Sequence, residues 1–504
     1  MPHLEPEWRH RSARWLHGGV ALLLCVEAWL LWEGVRHGAF DCDDFQHAHL
    51  AWLTLRGGLI YRDFFDNHGP LSAWLNALAL GVLRGRVVSF DAILWLRMLV
   101  GAAVVAQGAL VHRIASRLTG SGLAGLTAVV LLGSSYLLQT RGTMLRPDAL
   151  QNAVLLGALA CLLEWRALAA GLLLGLDLFL HFKGVLGIAA VLGASLAAGL
   201  PSAKAPPGLR ETLRFHGRVL AGMLAVAALV CTVFAAFGAL DDLWRDFVRY
   251  NLGETASRVG TGRVVTDITR GLFWKWFTKD AWLVGCGLAG LGACGFAARR
   301  LPVGRSVTLV GLATLFSLPV WTLPLYPQVC LVTLPLLALA AVLPVGLVSA
   351  RGVGLVLGGL LLVAGGSVLA RVGDRPDVKR ALVREATFRG ELEWIREADR
   401  SEPVVYFWPT HSAAHVFNAN PDRRWMLPVD DVGGSYNSLV DEAHLETART
   451  VEAQLLAGRM DWVVVDPGAL VTAPPALQGL LETAFERRGS LWKRRSRRGM
   501  EVGE

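Results

Sequence analysis

Charge is scarce in this sequence, and cysteine chemistry is scarcer. Of its 504 residues only 18% are Asp, Glu, Lys or Arg against 53% hydrophobic, and a mean hydropathy of +0.44 excludes an ordinary soluble enzyme. The seven cysteines are Cys25, Cys42, Cys161, Cys231, Cys286, Cys294 and Cys330, and all but Cys42 lie in or beside apolar segments. None is spaced C-x-x-C, so neither a disulfide framework nor a cysteine zinc site is expected. Low-complexity tracts and evident repeats are lacking, and with them the repeated halves of many secondary transporters. No small-residue cleavage pattern precedes Phe40. The basic stretch Met1 to Gly19 and the apolar run to Trp32 are therefore expected to remain as a first span.

What is present is a succession of apolar runs. Stretches near 17–36, 90–112, 121–138, 148–164, 167–182, 184–200, 217–239, 281–298, 306–323, 327–347 and 352–370 have the roughly 17 to 25 residues that cross a bilayer, about eleven spans in all. Two shorter runs, 46–56 and 70–83, are apolar on one side only and read as helices lying in the interface. With a cytoplasmic N-terminus, Arg113, Arg117, Arg166, Lys204, Arg210, Arg214, Arg218, Arg299, Arg300, Arg305 and Arg351 fall on the inner side, as the positive-inside rule requires. The loops Phe40 to Arg86, Gln139 to Pro147 and Leu240 to Asp280, the turn at Lys183 and everything after Arg371 then lie outside the cytoplasm. The net charge of +8 is explained by those inner loops and by anionic lipid, without a nucleic-acid partner.

From Gly373 onward the pattern becomes polar. Pro403 to Trp408 and Met460 to Asp466 read as buried strands, with helical periodicity over Phe388 to Arg400 and Ala443 to Leu456. The fold class expected is an α-helical polytopic membrane protein over 1–371 and a small extracytoplasmic α/β domain over 372–504. That second domain has no G-x-G-x-x-G, Walker A or G-x-S-x-G sequence at a strand-to-helix junction, so it offers no nucleotide or hydrolase site. His411 and His415, spaced four apart, could share a helical face as metal ligands, but the sequence places no third ligand, and they read as surface or core histidines.

Acidic residues crowd the first loop. Asp41, Asp43 and Asp44 begin it, and Asp63 and Asp66 lead through Asn67-His68-Gly69-Pro70 into the next apolar run. Carboxylates at membrane depth must be hydrated, paired, metal-bound or chemically employed. A solvated connecting loop is the plain alternative.

The sequence D-D-F-x-H, followed by Y-R-D-F-F-D-N-H-G-P-L, resembles the first outer loop of GT-C membrane glycosyltransferases, in the branch of dolichyl-phosphate-mannose-protein mannosyltransferases and bacterial aminoarabinose transferases. The usual Asp-Glu of that family is Asp43-Asp44 here. The resemblance implies a GT-C fold and transfer of a sugar from a polyprenyl-phosphate donor to a lipid, protein or glycan acceptor. Asp43 and Asp44 are then the catalytic candidates, one carboxylate sufficing as base for an inverting attack. Asp66 and His68 are candidates to orient the base, bind sugar hydroxyls or share a divalent ion. Arg141, Arg146 and Lys183 are cations on the wrong side for the positive-inside trend. They either snorkel to headgroups or hold the donor phosphate. Tyr326 and Gln328 lie in a turn that looks like the family's Tyr-Pro-x-Tyr segment, with Val329 and Cys330 where its second aromatic is often found. A transporter and a non-catalytic envelope-assembly protein are the competing classes. Crowding of charge on one surface speaks against the first, and tolerance to loss of Asp43 would identify the second.

Overall fold

The computed structural model describes residues 5–38, 42–64, 66, 68–82, 90–198, 208–252, 267–297, 304–317, 327–373, 405–408, 462–465, 475–488 and 491–495. Its helices are α1 (Glu5–His37), α2 (Cys42–Leu55), α3 (Pro70–Val82), α4 (Phe90–Thr119), α5 (Gly122–Gly133), α6 (Tyr136–Arg141), α7 (Pro147–Leu163), α8 (Ala167–Leu180), α9 (Gly184–Ala198), α10 (Leu209–Ala236), α11 (Asp267–Ala297), α12 (Gly304–Ser317), α13 (Thr333–Val342), α14 (Ala350–Gly373) and α15 (Pro475–Ala484). Among the described residues, Arg14–His37, Ile93–Thr119, Leu209–Ala236, Cys330–Leu347 and Gly352–Val372 are long and apolar enough to cross a membrane. Pro70–Val82, Gly122–Gly133, Pro147–Leu163, Ala167–Leu180 and Gly184–Ala197 are shorter apolar helices. Each stretch read as a span overlaps at least one helix, and the two segments read as interfacial fall in α2 and α3.

Burial sorts these helices into inner and outer. Every residue of α13 is buried, and α4, α5 and α11 pack around it. On α14, Leu355, Leu362 and Leu369 are exposed on one face, the arrangement of a helix turned toward lipid tails. The seam between α8 and α10 is built on glycine. A Cβ on Gly171 would stand 1.9 Å from the carbonyl oxygen of Val219, and one on Gly222 would stand 2.6 Å from that of Leu168, so only glycine lets these backbones touch.

Three expectations are corrected. The run 121–138 is not one helix: α5 stops, Ser135 caps α6, and Asp280 accepts from Ser135 Oγ at 2.8 Å and from the Tyr136 and Leu137 amides at 2.7 and 2.9 Å. That carboxylate satisfies the amides a helix start leaves open. The segment Leu240 to Asp280, read as a loop, is shorter than expected, because α11 begins at Asp267 and Asp280 lies inside it. Its first part is a short helix (Leu240–Asp242) continued by a π-helical turn (Leu243–Arg249) in which Arg245 bonds Asp246 at 2.7 Å. The run 327–347 is α13 flanked by 3-10 turns, Pro327–Val332 and Leu343–Leu347.

Toward the C-terminus four strands, β1 (Val405–Trp408), β2 (Trp462–Val465), β3 (Phe485–Arg488) and β4 (Leu491–Arg494), form a sheet of order β1-β2-β4-β3. The two strands read from the sequence are neighbours, paired parallel with Val405 opposite Trp462, while β2, β4 and β3 pair antiparallel. The helices expected at 388–400 and 443–456, and His411 and His415, lie outside the described residues.

Candidate active site in the first loop

One buried carboxylate assembles the near side of the site. Asp44, fully buried, accepts from Arg97 Nε at 2.8 Å and Nη2 at 2.7 Å and from the Leu145 amide at 2.6 Å. Arg97, on the second turn of α4, also donates from Nη1 to the Gly38 carbonyl at 2.9 Å. The end of α1, the start of α2, the body of α4 and the turn before α7 are thus fastened at one point. A bidentate pair of this kind is strong and directional. Its consequence lies with the next residues along each strand of chain. Asp43 follows the fixed geometry of Asp44, Arg146 follows Leu145, and the two side chains form an ion pair. The Asp43 side chain keeps 21% of its exposure where that of Arg146 keeps 6%. Arg146 Nε donates to Asp148 Oδ2 at 3.2 Å.

Lys183 follows α8, in the turn that leads into α9. The α8–α9 turn is held by Gln151, whose Nε2 donates to the carbonyls of Asp177 at 3.3 Å and His181 at 3.0 Å. Lys183 and Asp148 line one cleft with Gln151, Asn152 and Asp177. Arg141 ends α6, donates to Met144 Sδ at 3.5 Å, and does not line this cleft.

The second half of the loop makes a histidine cluster with His47 and His181. Tyr61, in the left-handed region at φ 73, stacks on Phe234 at 5.7 Å and Phe247 at 6.2 Å and donates its hydroxyl to the His68 carbonyl. Gly69 donates to the Leu180 carbonyl at 3.2 Å, and a Cβ there would fall 2.0 Å from the Phe179 oxygen. Glycine is required because the loop lies directly on the end of α8. The His68 ring consequently packs 4.7 Å from His181 and 4.5 Å from His47, measured between centroids. Asp66 accepts from Gln46 Nε2 at 3.1 Å, and its Oδ1 lies 2.8 Å from His68 Nδ1.

Electrostatics follow the burial. Burial, with His68 alongside, pushes His47 down to about 3, so its imidazole is neutral at physiological pH. Burial and then the Lys183 ammonium push His181 well below its ordinary value. Burial alone would raise the Asp66 carboxyl, but the charge and hydrogen bond of His68 hold it below the usual range.

Of the residues singled out from the sequence, Asp43 and Arg146 meet, Arg146 reaches Asp148, which lines a cleft with Lys183, and Asp66 and His68 meet. Tyr326 lies outside the described residues, and for Gln328 only the backbone, in the 3-10 turn, is described. Arg97, His47, Asp148 and His181 were not assigned roles from the sequence. A lone arginine inside the apolar run 90–112 was a usable signal for the first, and His47 closes the D-D-F-x-H run. Asp148 and His181 adjoin cations already noted.

No protein-family profile matches the sequence, and no curated protein matches it. Solved structures do match. ArnT from Cupriavidus metallidurans bound to undecaprenyl phosphate superposes with a TM-score of 0.60 at 12% identity, over 95% of this chain and 97% of that one. Its apo form gives 0.58 at 12% identity over 96% and 98%. AglB, the archaeal oligosaccharyltransferase from Archaeoglobus fulgidus in complex with an inhibitory peptide and a dolichol-phosphate, gives 0.50 at 14% identity over 97% of this chain and 75% of that one.

Proposed function

Because the chain has the GT-C fold of membrane glycosyltransferases such as ArnT and AglB, we propose that it transfers a sugar from a polyprenyl-phosphate-linked donor to an acceptor on the extracytoplasmic side. The observation that carries this reading is the ion pair of Asp43 with Arg146, beside Asp148 and the cleft lined by Lys183. A hydroxyl acceptor needs a base and a departing phosphate needs cations; Asp43 and Arg146 supply one of each as a pair, and Asp148, bonded to Arg146, lines a cleft with Lys183. The acceptor oxygen attacks the anomeric carbon, the bond from that carbon to the phosphate oxygen breaks, and the hydroxyl proton passes to Asp43. Polyprenyl phosphate leaves as an anion stabilised by Arg146 and Lys183.

The resting pair gives this chemistry an order. While Arg146 holds Asp43, the carboxylate is a poor base; an incoming donor phosphate competes for the guanidinium and frees it. Asp44 is a positioning residue in this reading, since Arg97 and the Leu145 amide occupy its carboxylate. Arg141, at the end of α6, would meet the lipid phosphate from outside the cleft. Asp66 and His68 would order sugar hydroxyls or an ion, which their mutual contact at 2.8 Å supports. Residues 1–371 would form the transferase domain and 372–504 a separate extracytoplasmic domain.

Mass spectrometry of surface glycans and lipids from cells with and without the protein tests this. The expected result is a sugar-sized mass increment on one acceptor class that disappears without the protein while a sugar-bearing polyprenyl phosphate accumulates. Identical profiles would overturn the transferase reading.

A further inference from the structure

At the far end of α4 and α7 from the candidate site, three arginines meet one carboxylate. Arg113 donates to Glu164 Oε1 from Nε at 2.9 Å and again from Nη2, and Arg117 Nη1 at 3.6 Å and Arg166 Nε at 3.4 Å complete the ring of cations around the same acid. Arg113 follows Arg97 by sixteen residues of α4, about 24 Å along a helix. Glu164 closes the end of α7 opposite to Arg146. Most of a hydrocarbon thickness therefore separates this cluster from the Asp44–Arg97 pair, and it takes no part in the proposed transfer.

The turn that joins α7 to α8 is built to hold the group together. Trp165 lies in the left-handed region at φ 64, a conformation that bulky side chains rarely take and that persists where the surroundings impose it. Its ring packs edge-to-face on Phe215 of α10 at 5.4 Å. The reversal brings the Glu164 amide to the Ala160 carbonyl at 3.0 Å and the Arg166 amide to the Cys161 carbonyl at 2.9 Å, and α8 begins at the next residue. Arg166 thus stands at the start of α8, where no side chain caps the helix and where the helix dipole favours an anion over a cation. Snorkelling to headgroups accounts for scattered inner-side arginines. It does not account for three gathered on one acid by a strained turn.

We propose that Arg113, Arg117 and Arg166 bind the headgroup of a doubly anionic phospholipid, one that carries two phosphodiesters. Their side chains keep 58%, 51% and 66% exposure, and with Glu164 among them the group retains two positive charges, which two phosphodiesters match. Roughly fifteen guanidinium N–H groups face one carboxylate with about four lone pairs, so most of the donors remain for phosphate oxygens, which the arginine fork suits. Leu168 and Leu172, one turn apart on α8, are exposed at 54% and 39%. They supply apolar surface on the membrane side of Arg166, where acyl chains lie. A basic group between membrane helices is the recognised means of holding such a headgroup. Glu164 gathers the guanidiniums without neutralising them.

Lipid binding tests the site without any transfer assay and independently of the transferase reading. The full-length chain, purified in neutral detergent and freed of bound lipid, is loaded with a fluorescent cardiolipin and challenged with cardiolipin, phosphatidylglycerol, phosphatidylcholine or pyrophosphate. Cardiolipin is expected to compete more strongly than phosphatidylglycerol, and the other two not at all. Arg113→Gln, Arg117→Gln and Arg166→Gln should each weaken cardiolipin binding about fivefold, and the triple variant on the order of 100-fold. An Arg299→Gln/Arg300→Gln/Arg305→Gln variant, which removes the same charge from another loop, should bind as the parent does. Competition by phosphatidylglycerol equal to that of cardiolipin would overturn the two-phosphodiester assignment, and equal competition by phosphatidylcholine or pyrophosphate would overturn the headgroup site; these readings use the unaltered protein and need no variant to fold. Affinity retained without Arg113, Arg117 and Arg166, or lost equally without Arg299, Arg300 and Arg305, would overturn the proposal as well.

Discussion

Two adjacent aspartates have opposite environments, and the difference sorts chemistry from scaffolding. The Asp43 side chain keeps 21% exposure, whereas Asp44 is sealed against Arg97, both side chains at 1% exposure or less. Breaking a buried ion pair strands the remaining charge, at a cost on the order of 3 kcal/mol or more. Asp44→Asn is therefore expected to lower the melting midpoint in detergent markedly, and Arg97→Met in the same chain should restore much of it by removing the stranded cation. An Asp44→Asn protein as stable as the parent would show that the fastening at Gly38, Arg97 and Leu145 does not hold the site together. This division was not legible from sequence. Asp43 and Asp44 read alike there, because the partner that distinguishes them is 53 residues away on another helix, and only tertiary packing brings it near.

At the scale of elements, the first loop matters because it is docked rather than merely tethered. Gly69 lies against the last carbonyls of α8, Tyr61 pins the His68 carbonyl, and the α8–α9 turn carries His181 and Lys183 back to the same place. Gly69→Ala puts a methyl where the Phe179 oxygen stands, so the loop must lift. The expected cost is about 1–3 kcal/mol, read as a lower melting midpoint, with partial loss of turnover as His68 and Asp66 withdraw. Unaltered stability and activity would mean the loop is not held on α8. Here the sequence was more informative. The short amphipathic runs gave α2 and α3, and the helical segments matched the apolar runs. What it could not supply was the break after α5, since that depends on Asp280 reaching across to cap α6, and a cap supplied from 143 or 144 residues away leaves no local pattern.

For the whole molecule, the fold shared with ArnT over 95% of this chain leaves open which side of the membrane the cleft faces, and the cationic loops argue for the extracytoplasmic side. A cysteine introduced at Arg62, an exposed loop position, should react with an impermeant maleimide in intact cells once native thiols have been blocked. Reaction only after permeabilisation would invert the topology and remove the site from its lipid-linked donor. Transfer itself is tested most directly by the turnover of purified Asp43→Asn against the unaltered chain, using a polyprenyl-phosphate-sugar fraction and its acceptor identified from the comparison of cells. Asparagine preserves shape and hydrogen bonding but cannot take the proton, so turnover should fall by roughly 10² to 10⁴ with donor binding and melting midpoint little changed. Turnover within a few-fold of the parent would contradict the assignment of Asp43 as the base.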